Sequence, residues 1–141
     1  MDSSSIRLPG SELAEIRFAD GKLSVSFARA YIIKTMTGSA EKTLWWQAGE
    51  LLLDNAELLE PLPEVPSGDR LICEGGDIDE NVYTYRDMIP IPLDSRGHCR
   101  CDLKLRGSDA RIIAQGETLR LLMQDTPKYI EHIRPQDEGA A

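Results

Sequence analysis

From residue 14 onward, apolar and polar side chains alternate along the chain. Ala14, Ile16 and Phe18 are separated by Glu15 and Arg17, and after Asp20-Gly21 the residues Leu23, Val25 and Phe27 are separated by Ser24 and Ser26. A period of two on both sides of a turn that tolerates positive φ predicts a hairpin of antiparallel strands. Residues 30–35 form a β-branched and aromatic run that predicts a third strand. Residues 37–42 read as a polar loop, and residues 43–48 as a further strand. Residues 50–59 fit either a helix, by their Leu, Ala and Glu content, or two strands interrupted at Asp54-Asn55; the strand reading is preferred.

Pro61, Pro63, Pro66 and Gly68 mark residues 60–69 as a loop. The two prolines in Met88-Ile89-Pro90-Ile91-Pro92-Leu93 bar that apolar run from a central strand, which leaves an edge strand or a connection covering an opening of the core. In the last third, Cys99, Cys101, Leu103 and Leu105 alternate with polar neighbours. Ala110, Ile112 and Ala114 follow a turn at residues 106–109, and Leu119, Leu121 and Met123 follow a second turn expected at residues 115–117. This predicts a meander. Residues 129–133 read as a final strand or a single helical turn.

The expected architecture is therefore all-β and mostly antiparallel: a β-sandwich of about eight or nine short strands, with a small barrel as the alternative. The expected organisation is a flexible leader over residues 1–10, one β domain over 11–134 and a disordered tail over 135–141. A chain of 141 residues is long enough to bury about two thirds of its unfolded surface in one core.

Charge narrows the function classes. Sixteen Lys and Arg against 24 Asp and Glu give a net charge of −8, and the cations are scattered. Phosphate backbones and anionic lipids favour basic surfaces, so nucleic acid is disfavoured as a partner. There is no apolar run of membrane-spanning length and no basic, apolar leader, so the expectation is no membrane association and a cytoplasmic location. Three cysteines, an odd number, fit a reducing compartment.

Candidate chemistry is sparse. His98-Cys99-Arg100-Cys101, with Cys73 and His132, is the one set to test for zinc. The C-x-C lies in a strand pattern that turns both sulfurs to the face of Leu103 and Leu105, which is the reading of buried small hydrophobes. Asp77-Ile78-Asp79-Glu80-Asn81 resembles a calcium loop in its alternate oxygens. It lacks the Gly and Glu such a loop requires, Val82 and Met88 standing there instead, so it reads as a solvated turn with Asp77 and Asp79 facing water. No Gly-x-Ser-x-Gly elbow and no phosphate-binding glycine loop occurs. No metal, cofactor or catalytic residue is assigned.

The aromatic residues are the better clue. Adjacent strand residues face opposite ways, so Trp46, in phase with Leu44 and Ala48, is expected in the core and Trp45 outside. Trp45, Tyr83 and Tyr85 are the candidate partner-binding residues, because Trp and Tyr are enriched at binding hot spots. The function expected is a non-catalytic interaction or accessory module whose partner is another protein; the sequence fixes no oligomeric state. Two alternatives are carried. One is a barrel holding an apolar ligand among Leu23, Val25, Phe27 and Ile112, and the other is an enzyme using carboxylates of the segment 77–87.

Overall fold

Asp20 and Gly21 take φ of 53° and 73°, the positive-φ pair that a tight hairpin requires, and they join β1 (Ser3–Ala19) to β2 (Lys22–Thr35). The computed structural model describes residues 3–36, 38, 41–63 and 71–133. The remaining strands are β3 (Lys42–Asp54), β4 (Glu57–Leu58), β5 (Leu71–Glu80), β6 (Tyr83–Arg86), β7 (Met88–Ile91), β8 (Asp94–Leu105) and β9 (Arg111–Ile133). All pairings are antiparallel, and the strand order is β6-β5-β8-β9-β3-β2-β1-β7 with β4 beside β9.

A second pairing of β5, Glu12 with Ile72 and Leu13 with Leu71, joins it to β1. The sheet thus closes into a ring through β1, β2, β3, β9, β8 and β5. The all-β antiparallel expectation holds, and the ring gives it barrel-like closure. The inward side chains Leu13, Leu23, Val25, Phe27, Leu51, Leu53, Ile78, Leu103, Ile112 and Leu119 form one continuous buried cluster. Cys73, Cys99 and Cys101 are free and buried in the same cluster, Cys99 and Cys101 as the alternation predicts.

Four of these strands run on past the ring. The far ends of β1, β2, β3 and β9, with β7 on the outer side of β1, make a five-stranded wing. The junction between ring and wing is a belt of bulges. The register breaks between Arg7 and Glu12 in β1, between Phe27 and Ala30 in β2, and between the partners of Trp46 and Ala48 in β9. A bulge bends a strand and increases its local twist, so aligned bulges re-aim the sheet as a body. In β1 the Ser11 hydroxyl fills the gap: it donates to the Arg7 carbonyl at 2.6 Å and accepts the Tyr31 N–H at 3.1 Å.

β7 is the edge element that its prolines require. It pairs with β1 alone, and two residues later the Leu93 carbonyl accepts the N–H of Leu121 in β9. The segment crosses from β1 to β9 and buries Ile89 and Leu93 against the core, so it is both edge strand and cover.

Several expectations need correction. Residues 3–10, read as a leader, are the first half of β1 and pair with β2 and β7. Residues 22–35 are one strand, because the bulge in β2 shifts the phase without ending the strand, and residues 42–54 are one strand with no bulge of its own. Residues 115–117 are no turn: β9 runs unbroken for 23 residues. Gly116 is needed there because a Cβ would lie 2.5 Å from the Asp54 carbonyl oxygen. Asp77 and Asp79 stand in β5, paired to β8 and β6, and the turn comes later, at Asn81 with φ 56°. Ile78 between them is fully buried, which pins that register. Residues 129–133 are strand, as one of the two readings has it; residues 135–141 and most of the proline-rich loop, 64–70, lie outside the described residues.

Candidate functional site

β5 carries Glu74, Asp77 and Asp79 outward, and cations on the neighbouring strands meet them. Asp77 faces Arg86 at 3.6 Å, Asp79 faces Arg100 at 3.9 Å and Glu74 faces Lys104 at 3.7 Å. Arg111 holds Asp102 at 2.9 Å. An open cleft of about 430 Å³ lies among Glu74, Asp77, Arg86, Asp87, Lys104 and Arg111, within the region read as a possible carboxylate site. Its acids are committed elsewhere: Glu74 and Asp77 to cations, and Asp87 to the fold. The Asp87 carboxylate accepts the Gly76 N–H at 3.0 Å, its own N–H donates to the Gly76 carbonyl at 2.7 Å, and its carbonyl accepts the Leu8 N–H at 3.0 Å. Asp87 sits at φ 58° and its carboxylate occupies the space a Gly75 Cβ would fill. This is a structural knot tying β5 and β7 to the bulge of β1.

The thiols offer no nucleophile. Burial pushes Cys101 up to about 12 and Cys73 up to about 11, so neither carries thiolate at neutral pH. Among the described residues no three His, Cys, Asp or Glu side chains cluster as metal ligands. His98 is exposed on β8 and His132 on β9, where its Nδ1 lies 3.6 Å from Glu41.

The wing has a different character. Trp45 and Trp46 project to opposite faces of it, but the sides are the reverse of the expectation. Ile6, Ile32 and Trp45 lie in one cross-strand row, and Trp45 packs against the core cluster, half-buried. The reason is the unbroken period of two in β3: Trp45 is in phase with the inward Leu51 and Leu53, and every register break beside that strand falls in β2 or β9. The bulge in β2 shifts that strand's own inward set from Leu23, Val25 and Phe27 to Ala30 and Ile32, so Ile32 is the residue that faces Trp45. Trp45 donates its indole N–H to the Thr43 hydroxyl at 2.8 Å, meets Tyr129 edge-on at 5.3 Å and carries the Lys34 ammonium 4.3 Å from its ring centre.

Trp46 stands on the other face, also half-buried. β2 and β9 flank β3 on opposite sides, and each sends a cation to this ring: the Arg29 guanidinium and the Lys128 ammonium, each 4.6 Å from the centre. Trp46 belongs to a row across five strands, Met88-Arg7-Tyr31-Trp46-Lys128, in which each residue pairs with the next. A cleft of about 340 Å³ beside it is lined by Trp46, Gln47, Ala48, Asp125, Thr126 and Lys128. Neither Arg29, Lys128, Lys34 nor Arg7 has a carboxylate partner among the described residues.

The candidate residues are thus divided. Tyr83 and Tyr85 touch at 4.8 Å on β6, with Tyr83 exposed, and burial followed by nearby Glu80 raises the Tyr85 phenol pKa. Trp45 lies on β3, with β5, β8 and β9 between it and β6 in the strand order, so the three do not form one patch. Arg29, Lys34, Trp46, Lys128 and Tyr129 were not among the sequence-derived candidates. Lys34 and Arg29 are sequence neighbours of the strand pattern, but only the cross-strand register places them on tryptophans. No helix long and apolar enough to cross a membrane occurs among the described residues. No family model, curated protein or solved structure matches the chain, so geometry alone carries the functional reading.

Proposed function

We propose that the chain is a non-catalytic binding module that engages another protein through its wing. The observation that carries this is the contrast in charge pairing. On the ring strands Arg17, Lys22, Arg100, Lys104, Arg111 and Arg120 meet carboxylates, with Arg96 the exception, whereas Arg7, Arg29, Lys34 and Lys128 on the wing have none among the described residues, and three of the four rest on tryptophan rings. Aromatic rings and Arg together are the residue types that dominate binding energy at protein interfaces. The ring interior supports the same reading: Leu23, Val25, Phe27 and Ile112 pack into one cluster, which argues for a filled core over a ligand chamber.

Affinity capture from the native organism tests the proposal. A protein retained in stoichiometric amount by the wild type and by the ring-surface variant Lys104→Gln, but lost from the triple variant Arg29→Ala/Lys34→Ala/Lys128→Ala, is the expected result. Retention indifferent to the wing substitutions rules it out. Folding of each variant is checked by its melting curve.

A further inference from the structure

We infer that the outer face of the wing docks an acidic peptide segment of its protein partner, with Trp46 acting as the post that holds two cations ready for carboxylates. The inference rests on the binding-module reading and adds the chemistry of the partner. On the outer row, Arg7 and Lys128 stand three strands apart, about 14 Å at the usual strand spacing, with Arg29 beside Trp46 between them. A span of that length outruns a single small anion and suits several residues of an extended chain.

The identity of the occupant follows from which surfaces are taken. Sheet platforms that read single-stranded nucleic acid leave aromatic faces open for bases to stack on. Here Arg29 and Lys128 approach the Trp46 ring from its two flanks at 4.6 Å each, which leaves that ring little open face for a base. What the row presents to solvent is charge: the Arg29 and Lys128 side chains are exposed, and both lack a carboxylate partner among the described residues. A guanidinium offers a planar fork that matches a carboxylate with two parallel hydrogen bonds. The ring restrains each cation, so less side-chain freedom is lost when a carboxylate arrives.

The overall charge of −8 does not oppose this at short range. At physiological ionic strength the screening length is about 8 Å, so acids on the far side of the ring act weakly on a peptide seated at Trp46. Docking on the face is also favoured over strand addition at the β9 edge. Beyond Leu121, β9 pairs only with β3 among the described residues, but Pro127 has no N–H to give and Asp125 sits at φ 62°.

The experiment uses the full chain and three fluorescein-labelled probes: a twelve-residue Glu/Asp-rich peptide, a Lys-rich peptide of equal length, and a fifteen-nucleotide oligothymidylate. Fluorescence anisotropy at 0.15 M salt reads the affinities. The expected result is saturable binding of the acidic peptide alone, weakened at least tenfold in Arg29→Gln/Lys128→Gln and less than twofold in Lys104→Gln. Trp46→Phe, which keeps a ring under the cations, should weaken binding less than the double variant does. Absence of acidic-peptide binding, equal loss in the ring-surface variant, or tighter binding of the oligonucleotide overturns the inference. If the acidic peptide fails while a native protein is still captured in a wing-dependent way, this inference falls and the binding-module reading stands. If the native capture is also indifferent to the wing, both fall.

Discussion

The ring and the wing are made of the same strands, yet they solve opposite problems. In the ring, every strand has neighbours on both sides, the inward residues are almost wholly buried, and outward charges meet partners such as Arg111 with Asp102. In the wing, the sheet has open edges at β7 and β9, its two tryptophans are only half-buried, and Arg29, Lys34 and Lys128 rest on their rings. Surface ion pairs contribute little to stability, roughly 0–1 kcal/mol each, so the difference is not mainly one of stability. It is a difference in what is left for a partner: a paired charge must be unpaired before it binds something else, and an unpaired one need not be.

If the ring carries the stability, a deletion there should have the largest effect. Ile112 is fully buried in the core cluster, and Ile112→Ala should cost about 2–5 kcal/mol in chemical denaturation. A loss below about 1 kcal/mol would mean the ring is looser than its burial indicates.

The tryptophans sharpen the comparison within the wing. Trp45→Ala should cost about half of the roughly 3–5 kcal/mol of a fully buried aromatic, because Trp45 packs on the core but is only half-buried. Trp46→Ala should cost less, having no core contact among the described residues. Fluorescence of single-Trp variants checks the order: emission should be bluer when only Trp45 remains. The opposite order would reverse the facing of β3.

Asp54 anchors the ring where β3 ends. The Thr118 hydroxyl donates to it at 2.5 Å, and Arg120 and Lys22 lie near, so its pKa falls below the ordinary aspartate value despite some burial. A carboxyl held low stabilises the fold above its unfolded pKa, and that contribution is lost as pH falls through the lowered value. Asp54→Asn should therefore cost about 1 kcal/mol at neutral pH, modest because the side chain is partly exposed. The deficit in melting temperature should shrink below about pH 4. A deficit constant across that range would show that the charge is not its source.

The smallest effects separate the two surfaces most directly. Lys104→Gln on the ring and Arg29→Gln on the wing should each change stability by less than about 1 kcal/mol. Only the second should alter partner affinity, as a titration with the captured partner would read. Equal effects on affinity would erase the distinction between the two regions.

The sequence by itself determined the local code. The Asp20-Gly21 hairpin, the inward Cys99, Cys101, Leu103 and Leu105, and the exclusion of Met88–Ile91 from the sheet interior all follow from period two, turn chemistry and missing N–H groups. It also carried the break in phase at each bulge, but a break looks the same whether the chain turns or bulges. Ala30 begins a new phase in β2 and Leu119 does so in β9, and both strands continue because neighbours hold them on each side. Only the tertiary structure decided that, since a bulge exists only relative to a partner strand. The same holds for Trp45 and Trp46. Their opposition was written in the sequence, while the pairings with β2 and β9 decided that β3 runs unbroken from Leu53 to Trp45, which puts Trp45 in phase with the inward Leu51 and Leu53. The closure of β5 on β1, and the cations gathered on Trp46 from β2 and β9, are pairings between residues far apart in the chain, to which alternation along a single strand is blind.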